Sequence, residues 1–219
     1  MQRVFIFSAF LCLVMSLSAD RLSDSKKILD SHYKNLNSVQ QLFTDSEVSQ
    51  KYKSFEDAYK SADSAFRGTN RDKTLKAVNA ARIELKETEK AYTAYLSKLS
   101  SQIIDHFSSA YVSDLHSDTA KEGDKKDKLQ KTYKANRYLN LARSRHVNAE
   151  KFERERNYYY SLHLFQGAIR YTVLACKTME VEVPQEFKTA ESKWFGEEEN
   201  TAKTENKLET DTKPEEKKP

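Results

Sequence analysis

Apolar residues recur along this chain in steps of three and four, the spacing of a single helix face. Leu29, Tyr33, Leu36, Val39 or Gln40, and Phe43 form the first such stripe, and Ser23 or Ser25 is its expected start. Thr44 stands three residues before Glu47, a spacing that reads as a capping box opening a second helix. Val48, Tyr52, Phe55, Tyr59, Ala62 and Phe66 then alternate steps of four and three, a narrow coiled-coil-like seam for a partner helix. Gly68 is expected to end that helix in the left-handed cap conformation, and Thr69, with Asp72 three residues on, to cap the next.

From Asn70 to about Asp114 the chain has no glycine and no proline, and Leu75, Val78, Ala81, Leu85, Tyr92, Leu96, Leu99, Ile103 and Phe107 keep a helical period. This predicts one helix about 60 Å long, which needs partners along its whole length. Residues 114–127, with SDTAKEGDKKD at their centre, read as an exposed loop joining two hairpin units. A fourth helix from about Lys128 to Arg156 carries Leu129, Tyr138, Leu141, Ala142, Ala149 and Phe152. A fifth follows at once through Asn157, with Tyr158, Leu162, Phe165, Ile169 and Val173 on one face. Gly167 interrupts it at a cost of about 1 kcal/mol relative to alanine, which points to close approach of a neighbouring helix. Pro184 opens a short sixth helix, closed by Gly196, in which Phe187, Ala190 and Trp194 share a face, a lid on the end of the bundle. Residues 197–219 hold one large apolar residue, Leu208, and read as a disordered charged tail.

The fold class that follows is all-α: an elongated antiparallel bundle of helical hairpins around one long central helix. Short loops make consecutive helices antiparallel neighbours. Residues 20–196 form this single helical domain.

An internal repeat supports the hairpin reading. Offsetting the chain by 87 places Ala62 on Ala149, Arg67 on Arg154, Asn70 on Asn157, Thr74 on Ser161, Leu75 on Leu162 and Ala81 on Ala168 without a gap. In the second copy, small Ala149 and aromatic Phe152 precede a turn, and Ser161, Phe165 and Ala168 follow it. This pattern resembles a tetratricopeptide-type hairpin, in which small residues let two backbones approach while aromatics fill the gap. It departs from that pattern at Arg145, where a large apolar residue is expected, at Arg156, where the turn lacks its glycine, and near Val173, where no proline ends the unit. The resemblance implies a protein-binding or assembly role by analogy.

The first 19 residues change the picture of where the protein works. MQRVFIFSAFLCLVMSLSA combines Arg3, an apolar run from Val4 to Leu17 and small residues before Asp20, the pattern of a cleavable signal peptide. The expectation is export, to the periplasm or outside the cell, with no transmembrane segment after cleavage. Phe10 and Leu11 before Cys12 do not suit a lipid-attachment site, and removal of Cys12 leaves Cys176 without a disulfide partner. Cys176 falls on the apolar stripe of its helix and reads as a small buried hydrophobe. Small lysine- and serine-rich helical proteins with a signal and no structural cysteines also resemble periplasmic proteins of spirochaetes, among them those that coat the flagellar filament.

Charge separates the two ends. The whole chain carries +4; removal of Arg3 gives +3, and eight acidic against five basic residues from Glu197 onward leave +6 on residues 20–196. Lys121 to Lys151 holds ten basic residues against four acidic ones. In an exported protein that favours a solvated face, an acidic partner or anionic head groups at the envelope over nucleic acid.

Dedicated catalytic chemistry is not visible. His32, His106, His116, His146 and His163 lie out of helical reach of one another, so no metal or other cofactor site is expected. Phosphate-binding glycine loops are absent, and Ser64, Ser97 and Ser161 sit inside helical patterns without a nucleophile elbow. The unusual local feature is Tyr158-Tyr159-Tyr160. Successive helix residues point about 100° apart, so Tyr158 joins the apolar stripe and Tyr159 and Tyr160 are left at the surface. The sequence therefore nominates Tyr159, Tyr160, Arg137, Arg143 and Arg145 as a partner-binding surface of a non-enzymatic exported protein that binds another protein or self-assembles. A structural coat or filament sheath is the alternative.

Overall fold

The computed structural model describes residues 2–43, 45–116 and 125–195. Among the described residues the chain is helical without strands, and six helices pack as one bundle. They are α1 (Gln2–Leu42), α2 (Ser46–Phe66), α3 (Arg71–His116), α4 (Lys125–Arg154) and α5 (Tyr158–Met179), then a 3-10 turn at Gln185–Phe187 that runs directly into α6 at residues 188–195. Residues 117–124 and 196–219, which hold the centre of the expected loop and the expected tail, lie outside the described residues.

The 46-residue α3 is the spine, about 69 Å long at 1.5 Å per residue. It packs on α1, α2, α4 and α5, while α4 and α5 pack most extensively on each other. One continuous core results: Leu36 and Val39 of α1, Phe55 of α2, Tyr92, Leu96, Ile103 and Phe107 of α3, Leu139 and Ala142 of α4, and Leu162, Phe165 and Ile169 of α5 are buried in it. Phe187 and Ala190 are fully buried and Trp194 half-buried, with the Trp194 ring 6.0 Å from that of Phe43. Lys193 Nζ donates to Gln41 Oε1 at 3.1 Å, so α6 covers the end of the bundle where α1 stops.

Several expected helix ends move. α1 runs through Ser23 and Ser25 from Gln2, because no glycine or proline separates the two stretches. Thr44 lies outside the described residues, and the observed N-cap of α2 is Asp45, whose carboxylate accepts from the N–H groups of Glu47 and Val48. Gly68 is not left-handed: Arg67 closes α2 in the right-handed conformation, and no described glycine has positive φ. Asn70, rather than Thr69, caps α3, its Oδ1 accepting from Lys73 N–H at 3.0 Å.

The left-handed positions are instead Arg156, at φ 60°, and Glu180, at φ 57°. At the α4–α5 turn Arg156 N–H bonds Glu153 O and Asn157 N–H bonds Phe152 O, both at 2.8 Å. At the end of α5 Glu180 N–H bonds Lys177 O and Val181 N–H bonds Cys176 O. Both are Schellman closures, which satisfy the last carbonyls of a helix.

Three apolar expectations are also corrected. Leu75 is 48% exposed, because buried Thr74 takes the inward place, its hydroxyl donating across the hairpin to Ala65 O at 2.9 Å. Leu129 and Leu141 are exposed on α4. There the inward stripe is Ala135, Leu139, Ala142, His146 and Ala149, in steps of four and three. Short hydroxyls join the helices elsewhere too: Thr88 donates to Lys51 O at 3.0 Å and Ser161 to Ala149 O at 2.8 Å. Cys176 is a free, fully buried thiol, pushed up to about 12 by burial and then by Glu191, so it is not a nucleophile at neutral pH.

Candidate functional site

The described surface has one cleft in which unmet charge and aromatic walls meet. Its floor is the α4–α5 contact. Gly167 faces Arg145, and a Cβ built on Gly167 stands 2.6 Å from Arg145 Nη1 and 2.9 Å from its Cδ. The missing side chain is therefore what lets the arginine lie across α5. The guanidinium carbon of Arg145 sits 5.0 Å from the centre of the Tyr171 ring. One turn away along α5, Arg170 lies 5.6 Å from the centre of the Phe195 ring, and neighbouring Trp194 closes the cleft from α6. The enclosed volume is about 470 Å³, within the range of small-ligand and peptide-anchor sites.

The electrostatics are one-sided. Each guanidinium lies within cation–π distance of its ring, and among the described residues neither arginine has a carboxylate within ion-pair distance. Arg67, by contrast, is paired to Asp63 at 2.6 Å. Among the described residues no acidic side chain lines the cleft. Gln166 lines it, and among the described residues its buried Nε2 has no hydrogen-bond partner. His163 stands at the rim; partial burial, and then the nearby His32, hold its ring below the ordinary histidine value.

Of the residues the sequence nominates, Arg145 alone enters this cleft. Tyr159 is half-buried: its ring lies 4.2 Å from His32 and 4.8 Å from His163 by centroids, and its hydroxyl shares a 3.4 Å hydrogen bond with Ser31. Tyr160 is 57% exposed, with Phe152 and Tyr159 as ring neighbours. Thus Tyr160, Tyr159 and His163 form a continuous ledge leading to the cleft. Arg143 points elsewhere, its Nη2 donating to Ser108 Oγ of α3 at 3.0 Å, and Arg137 is exposed on α4. Sequence reasoning missed His163, Gln166, Arg170 and Trp194. The available signal was the step pattern His163, Gly167, Arg170 and Leu174 on α5, a stripe that mixes polar residues and a glycine into a helix otherwise apolar on its inward face.

Two other polar groupings look like chemistry. Ser100 Oγ lies 2.8 Å from His146 Nδ1, and His146 Nε2 lies 3.4 Å from Glu150, the order of a serine triad. Ser100 is fully buried in mid-helix and also donates to Ser97 O at 3.0 Å. Its hydroxyl has no open side to a substrate, and with its single proton committed to that carbonyl it accepts from Nδ1–H. Glu89, buried in α3, meets His32 Nδ1 at 2.5 Å, a polar tie between α1 and α3. Among the described residues no group of three or more histidine, cysteine or carboxylate side chains is placed to hold a metal ion, and no helix is long and apolar enough to cross a membrane.

Compared with protein-family models, with curated proteins and with solved structures, the chain matches none of them.

Proposed function

We propose that this chain is an exported, non-enzymatic helical protein that acts as a protein-binding or assembly module, with the periplasm as its place of work. The observation that carries the reading is the α4–α5 cleft with its ledge: Arg145 and Arg170, without carboxylate partners among the described residues, share its lining with Tyr171 and Trp194, and exposed Tyr160 stands on the ledge. Arginine, tyrosine and tryptophan are the residues that anchor protein interfaces. The tetratricopeptide-like reading of residues 149–168 is supported by the close approach of α4 and α5, where Ala149, Ser161 and Ala168 are fully buried and the serine hydroxyl reaches the alanine carbonyl. The amino-terminal apolar run supports export.

A coat or filament-sheath role is the second reading. What favours it is the outward face of α4, where Leu129, Tyr133 and Val147 are all exposed and lie within about 40° of one another around the helix. Crosslinking tagged protein in intact source cells, followed by mass spectrometry of what co-purifies, tests both. A discrete exported protein as the dominant product supports the binding module, filament or envelope structural proteins support the coat, and recovery of no protein contradicts both.

A further inference from the structure

We propose that the α4–α5 cleft is a carboxylate-binding site, in which Arg145 and Arg170 receive acidic side chains of an extended segment of the partner protein while Tyr171 and Trp194 pack against its chain. This rests on the protein-binding reading and names the chemistry that the partner must present.

A guanidinium pairs with a carboxylate edge-on, through two parallel N–H donors. Arg145 lies within cation–π distance of the Tyr171 ring and Arg170 of the Phe195 ring, and among the described residues no carboxylate takes up their N–H donors. Their side chains are thereby ordered before a ligand arrives, which lowers the entropy that binding must offset. Gln166 adds an amide with an unmet donor in the same wall. Its terminal torsion is broad, so the amide turns to a ligand at little cost. With no acidic residue in the lining among the described residues, the cleft's complement is an anion, and its aromatic walls favour one carried on an apolar or peptide framework over a fully hydrated ion.

The chain holds one tryptophan, and Trp194 lines the cleft, so its fluorescence reads occupancy without a label. Full-length protein is titrated with an acetylated hexapeptide of alternating glutamate and leucine, and in parallel with its glutamine counterpart. The expected result is a saturable change in Trp194 emission with the glutamate peptide alone. It weakens at least tenfold in Arg145→Gln/Arg170→Gln and is partly retained in Arg145→Lys, while far-ultraviolet circular dichroism stays helical. Equal responses to both peptides, or no response up to millimolar peptide in any form of the protein, overturn the assignment. Inorganic phosphate saturating the signal more tightly than the peptide overturns the carboxylate as the ligand.

Glu197, Glu198 and Glu199 begin two residues beyond Phe195, so the titration is repeated in full-length Glu197→Gln/Glu198→Gln/Glu199→Gln. A response confined to that variant overturns a separate partner as the occupant, because the chain's own glutamates then fill the cleft. The two readings fail separately. A partner captured in cells with equal yield from Arg145→Gln/Arg170→Gln contradicts the carboxylate site and spares the binding module. Peptide binding as expected with no protein captured does the reverse.

Discussion

Arg145 lies across Gly167, its Nη1 2.6 Å from where a Cβ would stand. The glycine costs α5 helix propensity and gives α4 a place to lay a charged side chain against Tyr171. Gly167→Ala therefore separates folding from the site. The clash is with a flexible side chain, so stability is unchanged or rises by up to about 1 kcal/mol from helix propensity. The displaced guanidinium weakens the Trp194 response to acidic peptide severalfold. Urea melts and the peptide titration check the two halves.

Arg156 holds φ 60° at the α4–α5 turn, a conformation costing a non-glycine residue about 1–2 kcal/mol. Arg156→Gly relieves that cost against a glycine entropy penalty of about 0.5–1 kcal/mol. A net gain of about 0.5–1 kcal/mol follows, seen as a rise in Tm of about 2 °C. Gly68→Ala is the control: its φ is not left-handed and the new Cβ meets Ala65 O at an ordinary 3.5 Å, so no strain is added.

Tyr159 and Tyr160 are adjacent in sequence and unequal in structure. Tyr159 packs on His32 and His163, and its truncation to alanine lowers stability by about 2 kcal/mol in chemical denaturation. Tyr160, exposed beside Phe152, loses less than about 1 kcal/mol on truncation. Loss of partner binding at constant stability is therefore expected from Tyr160→Ala alone.

Lys26 Nζ reaches Asp63 at 3.1 Å and ties α1 to α2. Asp63 is held below the usual carboxylate range by Lys26 and then Arg67, and Lys26 is held above its own by Asp63 and then Asp30. The Asp63 contribution is present above its unfolded value near 4 and is lost as pH falls through the lowered folded value. The Lys26 contribution is present below about 10.5 and is lost as pH rises through the raised one. Asp63→Asn thus costs stability at pH 7, no more than about 1 kcal/mol for so accessible a pair, and costs less as the pH falls through that lowered value. Stability measured at pH 7 and at pH 2 checks the difference.

The helices were legible because their apolar steps of four and three are long and regular: the seam Val48–Tyr52–Phe55–Tyr59–Ala62 packs as its spacing indicates. The ends were less so. Asp45 and Thr44 are both competent caps, and only the geometry of the chain entering α2 selects Asp45. On α4, leucines at 129 and 141 outweigh alanines at 135 and 142 by hydrophobicity, yet close packing on α5 needs the small residues inside. The cleft was the least legible part. Arg145, Arg170 and Trp194 come from three helices, and no local spacing shows that they converge. Tyr160 could be placed at the surface from helix geometry, whereas half-burial of Tyr159 depends on His32, far away in α1.

Under the proposed function the cleft and its ledge receive a protein partner. Site-specific photo-crosslinking in intact source cells tests it most directly, with the photoreactive residue placed at Tyr160 in one strain and at Ile83, 65% exposed on α3, in another. A discrete protein adduct is expected from position 160 and absent from position 83. Adducts from neither position, or the same adducts from both, contradict it.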